Sequence, residues 1–272
     1  MPGPFHRARN YPWRSWEEVP ARPPEMFRGR RKFFLEIFAG VAVLTAACLS
    51  AGIFCLPPVE LDPTGHVEFS QDVHSPALFA KISRWVEEQA LGLIHIATPC
   101  SSFSTARRDD GGPPPLRSKW HPYGVPGLSP NNRKIAREGN RFAEQTVKIM
   151  RMAVREGVEF TVENPATSWL WRLPPMATFR KFHVMWVVAL TMCAYGSSAW
   201  KPTHIWSSSF VFQSMTADCP GVSDTHHHVV LRGSQWSEKK QRIEYNTKAG
   251  QVYPQRFCQA YAQAAGQVKG DH

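Results

Sequence analysis

The chain has 272 residues, 43% of them hydrophobic, with a formal charge of +10 and a pI near 9.5. That is enough apolar chain for one good-sized α/β domain with a small appendage. It contains no run of about 18 apolar residues and no apolar signal core at its N-terminus, which argues against a membrane span and against secretion.

The charge favours a polyanionic partner, nucleic acid first. Residues 1–32 carry eight Arg or Lys against three Glu, half of the net excess. Residues 1–31 are rich in Pro and Arg, lack periodicity and read as an irregular basic arm. Its aromatics, Phe5, Trp13, Trp16 and Phe27, suit stacking on bases and packing on the domain equally well. Six scattered cysteines (48, 55, 100, 193, 219 and 258) fit free thiols in a reducing, intracellular compartment, nuclear in a eukaryote.

Phe33 to Phe38 reads as a strand, Ala39-Gly40 as a turn and Val41 to Ala51 as a helix closed by Gly52. A second short strand is expected over Val59 to Asp62. Ser75-Pro76 opens a helix, and Leu91 to Ala97 is a buried strand that ends at Thr98-Pro99, because proline cannot join the ladder. Residues 105–130 form a long loop of the kind that is functional or disordered. Asn131 to Glu156 is a long amphipathic helix ended by Gly157. Val158 to Val162, Met185 to Met192 and Thr203 to Trp206 read as strands, with a short helix at 174–182. Residues 207–248 are polar with few strong signals, and Tyr253 to Ala265 is a closing helix. Strands alternating with helices predict an α/β fold with a doubly wound sheet.

Four features fall at the carboxyl ends of successive strands, the edge where open α/β sheets bind ligands. The first is the Phe38-Ala39-Gly40 turn, which lets backbone amides approach a ligand or is merely a tight turn. The second is Glu60, twenty residues after Gly40, a spacing that suits ribose hydroxyls or a solvated acid. Asp72 is a further acid on this rim, equally a local cap. The third is Cys100, a candidate nucleophile in a polar loop beside Arg107 and Arg108, which would favour its thiolate; a lone cysteine is more often packing. The fourth is Glu163-Asn164-Pro165, whose carboxyl would act as an acid or anchor a substrate ring.

In this order, Phe38-Ala39-Gly40, Glu60, Pro99-Cys100-Ser101-Ser102-Phe103-Ser104 and Glu163-Asn164 resemble the motifs of DNA (cytosine-5)-methyltransferases, over roughly residues 33–206 plus the closing helix. The resemblance implies a mostly parallel, Rossmann-like methyltransferase sheet with one antiparallel strand. It implies a methyltransferase core at 32–206, a small target-recognition segment at 207–248 and a returning helix within 249–272. S-adenosyl-L-methionine would lie on Phe38, Ala39, Gly40 and Pro99, with Glu60 on its ribose and Asp72 near its adenine. A cytosine of DNA, or of RNA, would be flipped out of the stack. Cys100 would attack its carbon 6 and Glu163 would hold its nitrogen edge. The loop 101–120 would close over the base. Ser102, Ser104, Arg107, Arg108, Arg117, Asn164 and Lys201 would contact nucleic acid.

The family's Gln-x-Arg-x-Arg element has no match in Tyr195 to His204, where Lys201 or His204 is the candidate substitute. Its late Gly-Asn is replaced by Gly250-Gln251-Val252-Tyr253-Pro254. The chain resembles compact members carried by phages and mobile elements. A catalytically degenerate nucleic-acid-binding domain is the alternative, and a monomer is expected. Cys219, His226, His227 and His228 lack a Cys-x-x-Cys partner and read as a polar turn rather than a metal site. Cys48, Cys55, Cys193 and Cys258 read as packing.

Overall fold

The computed structural model describes residues 10–61, 71–107, 113–229, 234–237, 242–245 and 252–268. The strands are β1 (Phe33–Ile37), β2 (Phe54–Cys55), β3 (Leu91–Ile96), β4 (Glu159–Pro165), β5 (Trp186–Thr191), β6 (Pro202–Ser207), β7 (Ser234–Ser237) and β8 (Arg242–Tyr245). The helices are α1 (Val43–Ser50), α2 (Pro76–Glu87), α3 (Pro130–Arg155), α4 (Pro174–Phe182) and α5 (Gln255–Ala265). Six strands form one sheet in the order β2-β1-β3-β4-β6-β5. All neighbours are parallel except β6, which runs antiparallel to β4 and β5. The α/β class and the single antiparallel strand are as expected.

Strand alternation divides the apolar residues between the two faces. Phe33, Leu35 and Ile37 of β1 join Ile94, Phe160 and Trp206 under α2, α3 and α4. Phe34, Leu93, Val188 and Ile205 lie on the other face with Leu44 and Cys48 of α1 and Phe257 and Tyr261 of α5. The helix starts follow local chemistry. Ser75 Oγ accepts the Leu78 amide with Pro76 at the first turn, and Ser129 Oγ accepts the Asn132 amide ahead of Pro130. Gly157, at φ +65°, ends α3 in the left-handed region.

The expected strand at Val59 to Asp62 is corrected. The paired residues are Phe54 and Cys55, which add to β1, while Val59 makes only an isolated bridge to Ile37. The short β2 forms because Phe54 packs on Phe33 and Phe27. Part of the polar stretch 207–248 is ordered as a 3-10 turn, Phe210–Met215, and the β7–β8 hairpin.

In the arm, Trp13, Trp16 and Phe27 pack on the core rather than presenting stacking faces; Phe5 lies outside the described residues. Trp13 meets Trp85 edge-on at 5.1 Å, and Lys81 Nζ donates to the carbonyls of Trp16 and Val19. All six cysteines are free. Among the described residues no helix is long and apolar enough to cross a membrane.

Candidate active site

The chain leaves β1 toward β2 on one side and reaches β3 on the other, so the sheet order reverses between β1 and β3. A crevice at the carboxyl ends of two such strands is where open α/β sheets bind ligands. The turns that follow these strands are Phe38–Ala42 and Thr98–Phe103.

The first turn is bent by left-handed conformations at Phe38 (φ 61°), Gly40 (φ 56°) and Ala42 (φ 54°). Gly40 has nothing within 4 Å of where a side chain would begin, so its backbone is open to a ligand. Glu60 Oε2 accepts the Gly40 amide at 2.8 Å, which brings the expected acid onto the expected turn. Ala39 is buried; its amide bonds the Val59 carbonyl at 3.1 Å. The Phe38 ring meets Phe142 edge-on at 5.3 Å, and His74 stacks on the same Phe142 at 5.3 Å. Asp72 is exposed, and its Oδ1 accepts the His74 amide at 2.8 Å, the local cap that was its alternative reading.

The second turn is closed by the Phe103 amide bonding the Cys100 carbonyl at 2.9 Å. Pro99 and Cys100 are half-buried at its start. Arg117 pins the turn from inside. Its guanidinium donates to the Ser102 carbonyl (2.9 Å), Ser102 Oγ (3.1 Å), the Ala136 carbonyl (3.0 Å) and Asn140 Oδ1 (2.7 Å), and lies 4.1 Å above the Phe103 ring. Burial lowers its pKa to about 10.

Two expected nucleic-acid contacts are therefore corrected. Arg117 is only 3% exposed and Ser102 is buried beside it, because the loop's own carbonyls claim the guanidinium. Arg107 donates to the Ser101 carbonyl at 3.0 Å, and Ser104 Oγ caps the Ala106 amide. Arg108 lies outside the described residues.

β4 delivers Glu163, 6% exposed, and Asn164, fully buried. Asn164 is corrected too. Its amide donates to the Thr98 carbonyl at 2.6 Å and so ties the end of β4 to the strand end preceding Cys100. It is a positioning residue with no surface to offer a polyanion.

β6 returns antiparallel beside β4 and brings Lys201 to Glu163, with Nζ 3.5 Å from Oε1. That oxygen is buried and accepts no hydrogen bond among the described residues. Cys100 is held as a thiol chiefly by burial, which raises its pKa; the Lys201 charge opposes this and the Glu163 charge adds to it. Lys201 is thus a cation acting on the sulfur that was not expected in that role.

Two site residues escaped the sequence reading. The Tyr253 hydroxyl, just ahead of α5, donates to Glu163 Oε2 at 3.1 Å. His95 Nε2 lies 3.1 Å from that hydroxyl, His95 Nδ1 lies 2.8 Å from Thr161 Oγ1, and Thr161 Oγ1 lies 2.6 Å from the Tyr261 hydroxyl. Burial lowers the His95 pKa to about 3, so the imidazole is neutral and has one proton to give. The polarity that satisfies every group runs one way. Tyr261 donates to Thr161, Thr161 to His95 Nδ1, His95 Nε2–H to Tyr253, and Tyr253 to Glu163. The visible signal was a histidine inside an otherwise apolar strand, which must find partners when buried.

A groove of about 560 Å³ lies elsewhere, lined by Phe79, Lys148, Arg151 and Pro174 among others, and includes none of these residues.

No protein-family model matches the chain, and neither does any curated protein. Solved structures do. The Dnmt2 methyltransferase of S. pombe is 11% identical over 74% of this chain and 58% of its own, with a TM-score of 0.39. A mutant DNMT2 of Spodoptera frugiperda is 11% identical over 73% and 55%, at 0.37. The methyltransferase EhMeth of Entamoeba histolytica is 8% identical over 75% and 58%, at 0.40. The chain spans between 55% and 58% of the length of these proteins. These are distant likenesses. The fold assignment rests on the sheet itself.

Proposed function

We propose that the chain transfers a methyl group from S-adenosyl-L-methionine to carbon 5 of cytosine in nucleic acid, DNA first, with Cys100 as the covalent nucleophile. The observation that carries this reading is the meeting of a half-buried thiol after β3, a buried carboxylate oxygen on β4 that accepts no hydrogen bond among the described residues, and an ammonium group just before β6.

The Phe38–Gly40 turn fits the cofactor. Its backbone is open at Gly40, an aromatic pair flanks it and a carboxylate sits on it. When bound there, S-adenosyl-L-methionine supplies an electrophilic methyl group. Phe38, Ala39, Gly40 and Pro99 would line it, Glu60 would meet the ribose and Asp72 the adenine side.

Cys100 Sγ, having lost its proton, adds to ring carbon 6, and the electron pair displaced from the carbon 5–carbon 6 bond makes carbon 5 nucleophilic. Carbon 5 would take the methyl group, the electron pair of the broken sulfur–methyl bond staying on the cofactor's sulfur as a neutral thioether. Loss of its proton to a base then restores the double bond and expels the thiolate. Lys201 lowers the cost of forming that thiolate. Glu163, held by Tyr253, bonds the nitrogen edge of the ring and stabilises charge that develops there. A flipped base is required because the ring is unreachable in the stack. The basic surface, with Arg107 and Ser104 at the mouth and Arg108 in the same loop, would hold phosphates.

The test is transfer of labelled methyl groups to mixed-sequence DNA and, in parallel, to tRNA, with Cys100→Ser as control. Label recovered as 5-methylcytosine only with the parent chain supports the proposal, and the better acceptor decides between DNA and RNA. Lack of any Cys100-dependent product on both acceptors would leave the degenerate binding domain as the reading.

A further inference from the structure

On the far side of the Lys201 turn a second cluster forms that plays no part in this chemistry. Cys193 follows β5 in a short 3-10 turn, Met192–Tyr195. Cys219, His226 and His228 come from the segment after the Phe210–Met215 turn. The ligand atoms of all four residues lie within 4.8 Å of one another. Cys219 Sγ is 3.5 Å from Nε2 of both His226 and His228, and the two Nε2 atoms are 3.0 Å apart.

Local structure explains the convergence. Ser223 and His226 exchange backbone bonds at 3.0 and 3.1 Å in a tight turn, which sends the chain back past Cys219. Beyond the turn, burial alternates from residue to residue. His226 and His228 turn inward, half-buried, while His227 is exposed and bonds the Asp224 carbonyl at 3.1 Å. The Gly221 amide donates to Cys219 Sγ at 3.4 Å, an outer contact of the kind that supports a thiolate ligand.

We propose that Cys193, Cys219, His226 and His228 form a structural Cys2His2 zinc site. A tetrahedral zinc has bonds of about 2.3 Å to sulfur and about 2.0–2.1 Å to nitrogen, which puts the sulfur–nitrogen edges near ~3.6 Å and the nitrogen–nitrogen edge near ~3.3 Å. The three separations among Cys219, His226 and His228 lie close to those edges, and Cys193 Sγ, within 4.8 Å of each of them, closes the cage by a side-chain adjustment. Three lone-pair atoms pointed at one another share protons poorly, whereas one divalent cation satisfies all of them. On binding, each cysteine releases its thiol proton to solvent and each histidine binds as neutral imidazole.

Cys219 and the histidines have no partner sulfur nearby in the sequence, because the fourth ligand is 26 positions upstream of Cys219. The site would clasp the chain entering the β7–β8 hairpin to the turn that delivers Lys201. The Met192 amide bonds the Lys201 carbonyl at 3.0 Å, and the Val229 amide bonds the Ser198 carbonyl at 2.8 Å.

The experiment is metal analysis of the full chain purified from zinc-supplemented cells, followed by replacement with cobalt(II). The expected result is one zinc per chain. The cobalt form should show the visible bands of tetrahedral geometry and a near-ultraviolet sulfur-to-cobalt band. Cys219→Ser and His228→Gln should each lose zinc at least tenfold more readily to a chelator, and His227→Gln should match the parent. Cys193→Ala should cut the sulfur-to-cobalt band by about half, since one of two thiolates is gone. A parent chain with no zinc and no tetrahedral cobalt spectrum would overturn the proposal. So would Cys219→Ser and His228→Gln chains that hold zinc as the parent does, or a Cys193→Ala band of full intensity. If a variant fails to fold, the stoichiometry and cobalt spectrum of the parent decide.

Discussion

Cys100 and Cys193 occupy comparable places in the sheet. Each stands a few residues beyond the carboxyl end of a strand, β3 for one and β5 for the other. Their surroundings differ. Cys100 is half-buried at the switch between β1 and β3, with one ammonium and one carboxylate acting on it. Cys193 is buried and faces a second thiol and two imidazoles. A strand end therefore places a sulfur but does not determine its chemistry. Partners drawn from elsewhere do that, and the Met192–Lys201 and Val229–Ser198 hydrogen bonds join the segments serving the two sites.

The sharpest test of the contrast is Cys100→Ser. We expect it to remove methyl transfer by a thousandfold or more while zinc content stays at the parent's value; loss of metal together with activity would show that the two sites are not separate. Next is Arg117→Ala, which leaves buried carbonyls and Ser102 without their donor. A loss of about 3 kcal/mol in urea unfolding is expected, with metal stoichiometry unchanged, because the guanidinium's partners lie in the Cys100 turn, its loop and α3, away from the cysteine–histidine cluster. An effect below about 0.5 kcal/mol would mean that the turn holds itself.

The pH response probes two buried groups paired across β1 and β3, Glu36, whose Oε2 accepts the Thr45 amide at 2.8 Å, and His95. Burial raises Glu36 from 4.5 to about 7, so the folded chain binds more protons than the unfolded one between those values and stability falls as pH rises across them. Burial lowers His95 from 6.5 to about 3, so across that window the unfolded chain binds more protons and stability rises with pH. The two slopes oppose each other wherever the windows overlap. Glu36→Gln removes the falling limb. Its stability relative to the parent should grow by about 3 kcal/mol from the bottom to the top of the Glu36 window, read from urea melts at several pH values. A difference that stays flat with pH would mean that Glu36 does not titrate there. The smallest effect is expected of Tyr253→Phe, which removes one donor from Glu163 and leaves His95 Nε2 without its partner. About 1 kcal/mol of stability should be lost and methyl transfer slowed several-fold, with zinc retained; unchanged kinetics would separate the hydrogen-bond chain from the site.

Much of this was legible in the chain. Apolar runs and periodicity located β1, β3, β4, β5, β6 and helices α1 to α5 to within a few residues, because local propensity and burial pattern agree there. Cys100 and Glu163 were legible as strand-end residues; Glu60 was legible as an acid for the Gly40 turn, but it stands in the segment after β2 and not on the strand expected to carry it. β2 was misplaced because a two-residue strand carries no period, and the β7–β8 hairpin was passed over in a polar stretch.

The partners of each polar group were not legible. Arg117 and Asn164 look like surface donors in the sequence, yet both are buried, because carbonyls left over by tight turns had to be satisfied and the nearest strong donors were theirs. Tyr253 meets His95 across 158 positions, Lys201 meets Glu163 because β6 runs antiparallel, and Cys193 meets Cys219 because a turn after β5 lies against a later loop. The sequence alone determined which residues stand at strand ends, since that depends on short-range pattern. Only the tertiary structure decided what each one faces, since that depends on strand order and direction, which hydrophobic periodicity does not encode.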